Sequence, residues 1–136
     1  MRKIVFAALF GFFFTPLALA DFEDGIAAYE KGDHATAFKE FLQAAQKGNP
    51  YAQGRLGGLY LYGVGVEKNY IEAYAWLDLA SRQGDKSAEK FRDGISSQLT
   101  DAQLHKALVL AEDYYDKHLA PFETPDPQAS PDAAAN

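Results

Sequence analysis

Apolar residues recur at steps of three and four along much of this chain, which is the spacing of one face of an α-helix. The clearest stripe is Ala37, Phe38, Phe41, Leu42 and Ala45. It predicts a helix over His34 to Lys47, with Asp33 placed as its N-cap. Gly48-Asn49-Pro50 breaks that helix, and another is predicted from Pro50 to Tyr62, since proline is tolerated in a first turn. Gly63 to Lys68 reads as a loop whose two glycines permit backbone angles that other residues resist. A helix over Tyr70 to Gln83 then carries Ala73, Trp76, Leu77 and Ala80 on one face, and Gly84-Asp85 ends it. Helices over about Phe22 to Lys31, Lys86 to Gln98 and Ala102 to Leu119 complete the pattern, the last capped by Thr100. The expected fold is all-α, with about three helix pairs.

The pairs repeat. Laid over each other at an offset of 36 residues, Ala37 meets Ala73, Phe41 meets Leu77, Ala44 meets Ala80, Gly48 meets Gly84 and Ala52 meets Ala88. Small residues let two helices approach closely, and a glycine is what a helix needs to stop in a left-handed cap. The period lies in the range of helical solenoids.

The string Ala52-x-x-x-Leu56-Gly57-x-x-Tyr60-x-x-Gly63-x-Gly65-Val66, followed by Ala73-x-x-Trp76 and Ala80-x-x-x-Gly84, resembles one complete Sel1-like repeat. Gly25 to Gly48, with Ala28-Tyr29, Gly32-Asp33 and Ala37, is similar to a degenerate first repeat, and Leu99 to Ala111 to a closing helix. Asn69 stands where an acidic residue is common in the family. The resemblance covers about residues 21–119 and implies a short right-handed α-α solenoid of the tetratricopeptide-like kind. It implies a scaffolding or adaptor role between proteins, and packing roles for Trp76 and Tyr60.

The ends read differently. Arg2 and Lys3 precede an apolar run from Ile4 to Phe14, and Ala18 and Ala20 are the small residues a signal peptidase requires, so cleavage is expected between Ala20 and Asp21. A membrane anchor needs roughly 20 apolar residues, and Pro16 interrupts a shorter run. The expected location is periplasmic or secreted, without membrane insertion after cleavage. Loss of residues 1–20 leaves 11 basic against 19 acidic residues, a net charge of −8, which repels nucleic acid and anionic lipid. There is no cysteine, so stability rests on packing. Residues 120–136 hold four prolines and few apolar groups, the composition of a disordered tail.

Candidate catalytic chemistry is sparse. His34, His105 and His118 include no i, i+4 pair of the zinc kind. Gly63 and Gly65 lack the strand and lysine of a phosphate loop, and serine occurs without a nucleophile elbow. Glu112, Asp113, Asp116 and His118 read as a solvated helix end, with His118 suiting the helix dipole. Neither catalytic residues nor a metal or other cofactor are expected.

Binding remains, and the register nominates a surface. Ala52, Leu56 and Tyr60 face the paired helix, which leaves Tyr51, Arg55, Gly58 and Tyr62 along another stripe. The equivalent positions of the next repeat are Ser87, Phe91, Gly94 and Gln98. Tyr51, Arg55, Tyr62, Phe91 and Gln98 are therefore the candidate partner-binding residues, with Gly58 and Gly94 lowering the floor between them. The same stripe could instead pack neighbouring helix pairs together. The expected occupant is a protein or peptide. The alternatives are a carbohydrate or cell-wall ligand stacked on Tyr51, Tyr62 and Tyr70, and a structural homodimer.

Overall fold

The computed structural model describes residues 16–123. They form six helices: α1 (Pro16–Glu30), α2 (His34–Gln46), α3 (Pro50–Tyr62), α4 (Tyr70–Arg82), α5 (Lys86–Ser96) and α6 (Asp101–His118), with a 3-10 turn at Ala120–Phe122. No strand occurs among the described residues, and the architecture is an α-solenoid of helix pairs.

Each of the helices α2 to α6 starts where a short polar side chain can accept from orphaned backbone N–H groups. Asp33 accepts from Thr36 N at 3.2 Å, Asn49 from Ala52 N at 3.1 Å, and Asp85 from Ala88 N at 3.0 Å. Asn69 accepts from both Ile71 N and Glu72 N. Thr100 and Gln103 cap each other reciprocally at the start of α6. Gly48 and Gly84, the glycines matched by the repeat, follow α2 and α4 at φ of 89° and 99°.

The residues matched at an offset of 36 occupy matching interior places. Ala37, Ala44, Ala73, Ala80, Ala52, Ala88, Phe41 and Leu77 are all buried. Glycine supplies the close approach within each of the first two pairs. A Cβ on Gly25 would stand 2.6 Å from the Phe41 ring, and one on Gly57 2.6 Å from Leu77 Cγ. These two glycines lie 32 residues apart, not 36, because the α3–α4 loop is four residues longer than the α1–α2 turn. In that longer loop, a Cβ on Gly65 would collide with the His34 carbonyl, so Gly65 closes the loop against α2.

α4 is the central helix. Every residue from Ala73 to Ala80 is buried, as expected of a helix packed on all sides, and α3, α5 and α6 all lie against it. Trp76, at 1% exposure, is a core residue. It lies against Tyr114, ring centroids 4.5 Å apart. Asp78, the one acid in this run, accepts from Arg82 Nε at 2.7 Å and Arg92 Nη1 at 3.0 Å, so its buried charge is paired.

Three boundaries differ from the periodic pattern. α1 begins at Pro16 instead of Phe22, because Leu17 to Ala20 are good helix formers behind a proline in the first turn. α5 ends at Ser96, two residues early. Beyond α6, Leu119 is fully buried, and the Phe122 ring covers Gly48. Tyr115 donates to Glu123 Oε2 at 2.6 Å, so ordered chain continues four residues past the expected edge of the tail. The apolar leader up to residue 15 and the tail from 124 onward lie outside the described residues.

Candidate functional site

α3 has two working faces, and adjacent glycines separate them. Gly57 is pressed against Leu77 of α4, whereas a Cβ on Gly58 would meet nothing within 4 Å. The roughly 100° turn between successive helical residues points one glycine into the core and the next outward. Tyr51, Arg55 and Tyr62 share the outward side with Gly58, and all three are exposed, Tyr51 at 67% and Tyr62 at 66%.

Two grooves flank this side of α3. One, of about 320 Å³, runs between α3 and α5, bordered by Tyr51, Arg55, Tyr62 and Phe91, with Phe22 at one end and Asp85 and Ser87 on the far wall. The other, of about 440 Å³, runs between α1 and α3 and is bordered by Ile26, Tyr29, Glu30, Leu59 and Val64. Gly54, Arg55, Gly58 and Tyr62 line both. The glycines thus form a low saddle across α3, and the two grooves join over it.

Four of the five nominated residues, Tyr51, Arg55, Tyr62 and Phe91, come together at the α3–α5 groove. Gln98 does not. α5 stops at Ser96, so the helical stripe ends before reaching Gln98, whose amide turns back toward the Gly94 carbonyl. Gly94 is open, with nothing within 4 Å of its Cβ position, but it lies outside the groove lining. Tyr51 combines exposure with packing, its ring centroid 6.0 Å from that of Phe22. Tyr70, grouped with the exposed tyrosines, is half-buried, and Lys68 Nζ sits over its ring at 4.9 Å. Its position at the start of α4 folds it onto the core. Gly54 and the whole α1 wall escaped the periodic reading. The i, i+4 spacing of Gly54 and Gly58 was the available signal, whereas the α1 wall depends on how two distant helices pack.

The charges divide by function. Arg82 bonds Asp78 and Glu112, and Arg92 bonds Asp78, Asp93 and Ser81. Glu112 is held below the usual carboxylate range by Arg82, and Asp113 pairs with Lys117, so these two acids of α6 are engaged in ion pairs. Tyr114 donates to Glu72 at 2.8 Å, and burial, reinforced by Glu72, raises its pKa. Arg55, by contrast, makes no hydrogen bond or ion pair with any other described residue. Among the described residues, no cluster of three or more His, Asp or Glu side chains is placed to hold a metal ion.

Residues 50–85, which span α3, its loop, α4 and the following turn, match the Sel1 repeat family. Similar proteins include the exopolysaccharide production negative regulator of Rhizobium meliloti (strain 1021), 35% identical over 69 residues, covering 51% of this chain and 25% of the relative. The chitin synthase regulator SKT5 of Saccharomyces cerevisiae is 41% identical over 61 residues, 45% of this chain and 9% of the relative. Human wolframin is 38% identical over 78 residues, 50% and 9%. Among solved structures, c5321, a protective antigen present in uropathogenic Escherichia coli strains and displaying an SLR fold, superposes with a TM-score of 0.70 at 35% identity. That superposition covers 74% of this chain and 23% of the other. The chain therefore spans a quarter or less of the length of these relatives. Repeats of this kind generally mediate contacts between proteins.

Proposed function

We propose that this chain, a Sel1-like repeat protein, is a non-catalytic adaptor of the bacterial cell envelope that holds a protein partner on the face formed by α1, α3 and α5. The observation that carries the reading is Gly58. A glycine inside a helix costs about 0.5–1 kcal/mol relative to alanine, and nothing lies within 4 Å of its Cβ position to require that sacrifice. Its effect is to keep the saddle between the two grooves low. Gly94 shares the freedom but not the place. Two relatives are regulators, one of exopolysaccharide production and one of chitin synthase, which suits a protein that acts by contact and not by turnover.

Export rests on the basic start, the apolar run and the small residues before Asp21. Removal of residues 1–20 would shorten α1 by its first turn and take away Ala18, whose carbonyl accepts from Asn49 Nδ2 at 3.4 Å. Asp21, ion-paired with Lys47, and Phe22, whose ring packs at a tilt against those of Phe41 and Tyr51, would hold the new start in place.

The test is photo-cross-linking in cells from position 62, in otherwise native protein and in Gly58→Leu, with Gly58→Ala as a control for folding. Gly58→Ala is expected to stabilise by about 0.5–1 kcal/mol. A specific protein captured by the native chain and lost from a folded Gly58→Leu supports the adaptor reading. Capture of a second copy of the chain would replace it with a homodimer, and retention on cell-wall glycan without any protein adduct would replace it with carbohydrate binding.

A further inference from the structure

Resting on that reading, we infer that the partner presents an extended internal segment with a single carboxylate side chain between two apolar ones, the carboxylate meeting Arg55 and the apolar groups filling one groove each. The charge pattern comes first. The chain has 19 acidic and 13 basic residues, so cations on its surface have abundant carboxylates to pair with. Two of its arginines do so: Arg82 and Arg92 share Asp78 and take further partners in Glu112 and Asp93. Arg55, exposed in the middle of α3, pairs with no other described residue. Its planar fork of donors is suited to a carboxylate, and it stands where the two grooves meet.

The acids nearby refine the choice. Each groove carries one carboxylate: Glu30 in the α1–α3 groove and Asp85 in the α3–α5 groove. Asp85 already accepts from Ala88 N with one oxygen, while the other lies near Gly54. Both repel additional negative charge to either side of Arg55, so an acidic run is disfavoured where a lone carboxylate is welcome. The remaining lining is largely apolar or aromatic, Phe22, Leu61 and Phe91 on one side and Ile26, Leu59 and Val64 on the other.

The shape settles which carboxylate. Because the apolar lining continues past Arg55 in both directions, the bound chain continues both ways. The group is therefore a side chain and not a chain terminus. Crossing a helix takes about 10–12 Å, and an extended chain rises roughly 3.3 Å per residue with alternate side chains on the same face. Positions i, i+2 and i+4 thus present three side chains toward α3 over about 13 Å. The segment fits the pattern apolar-x-acid-x-apolar.

The probes are acetylated, amidated peptides carrying Leu-x-Asp-x-Leu, the same peptide with Asn or Lys at the centre, and one with an Asp-Asp-Asp centre. Their affinities for the full chain and for its Arg55→Glu and Gly58→Leu variants are measured by calorimetry. Arg55 is on the surface, so its replacement leaves the fold intact, which circular dichroism checks. The native chain should bind the Asp peptide about tenfold more tightly than the Asn and Lys peptides, and more tightly than the Asp-Asp-Asp peptide. Arg55→Glu should reverse the order of Asp and Lys, and Gly58→Leu should abolish binding of all four. Equal affinity for the three central residues with loss in Gly58→Leu overturns the carboxylate assignment and leaves the groove as a protein-binding site. No binding by any peptide, while position 62 still cross-links a partner in a Gly58-dependent way, overturns the extended-segment inference alone. If that cross-link fails as well, both readings fall.

Discussion

His118 lies nearly parallel to Trp76, with ring centroids 5.6 Å apart and planes inclined by 21°, and its centroid is also 5.6 Å from that of Tyr114, so the three rings form one cluster. A cation near a helix C-terminus is favoured by the helix dipole, but this imidazole is not kept as one. Burial lowers its pKa below the ordinary 6.5, Lys117 lowers it further, and a hydrogen bond to the Gln46 backbone and the charge of Asp113 only partly oppose them. The dipole reading drawn from its position is corrected accordingly: His118 is a neutral ring completing an aromatic stack. As pH falls below about 6.5, the unfolded chain takes up a proton at this site that the folded chain resists. Stability must then drop, the loss accumulating until pH passes the lowered folded value. Melting temperatures measured from pH 7.5 to 5 in the native chain and in His118→Phe should show a steeper decline in the native chain over this window, and parallel curves would contradict it.

At the scale of the element, most of the structure is written in short stretches. Helices α2 to α6 begin at capping residues because a side chain two or three positions away satisfies the N–H groups the helix leaves bare. α2 and α4 end at glycines because a left-handed residue reverses the chain there. Asn69 is one departure from the family pattern, beside Gly54 and Arg55, and it caps α4 through two backbone donors, the task a carboxylate could equally perform. Asn69→Ala is expected to cost about 1 kcal/mol in urea unfolding, whereas Asn69→Asp should remain close to the native value. Less legible were the ends that depend on neighbours. Leu119 to Glu123 stay ordered because Leu119 finds a buried site and Phe122 covers Gly48. No local pattern announces those contacts.

Across the whole molecule, α4 links everything. α3, α5 and α6 all pack on it, and α3 also contacts α2, which pairs with α1. A long array of repeats can unfold piecemeal, since each repeat touches only its neighbours. Here the central helix belongs to two of the three core clusters, so losing α4 removes the packing surface of three other helices. Unfolding should be a single transition. Trp76 is the only tryptophan, so its fluorescence reports the centre while far-ultraviolet circular dichroism reports all helices. The two midpoints in urea should coincide, and separated midpoints would show a subset of helices unfolding independently of α4.

The amino-acid sequence by itself determined the helices, their caps and stops, the 36-residue period, the interior side of each repeat and the outward stripe of α3. All of these follow from interactions within a few residues or from a repeat visible on the chain. Only the tertiary structure decided that Gly57 is closed by Leu77 while Gly58 stays open, and that Phe91 reaches the groove while Gln98 does not. It also decided that Arg82 and Arg92 find carboxylates while Arg55 finds none among the described residues. The physical reason is the same in each case. Whether a side chain is free or engaged depends on groups brought to it by other helices, as far as Glu112 lies from Arg82, and that distance is bridged by packing and not by periodicity.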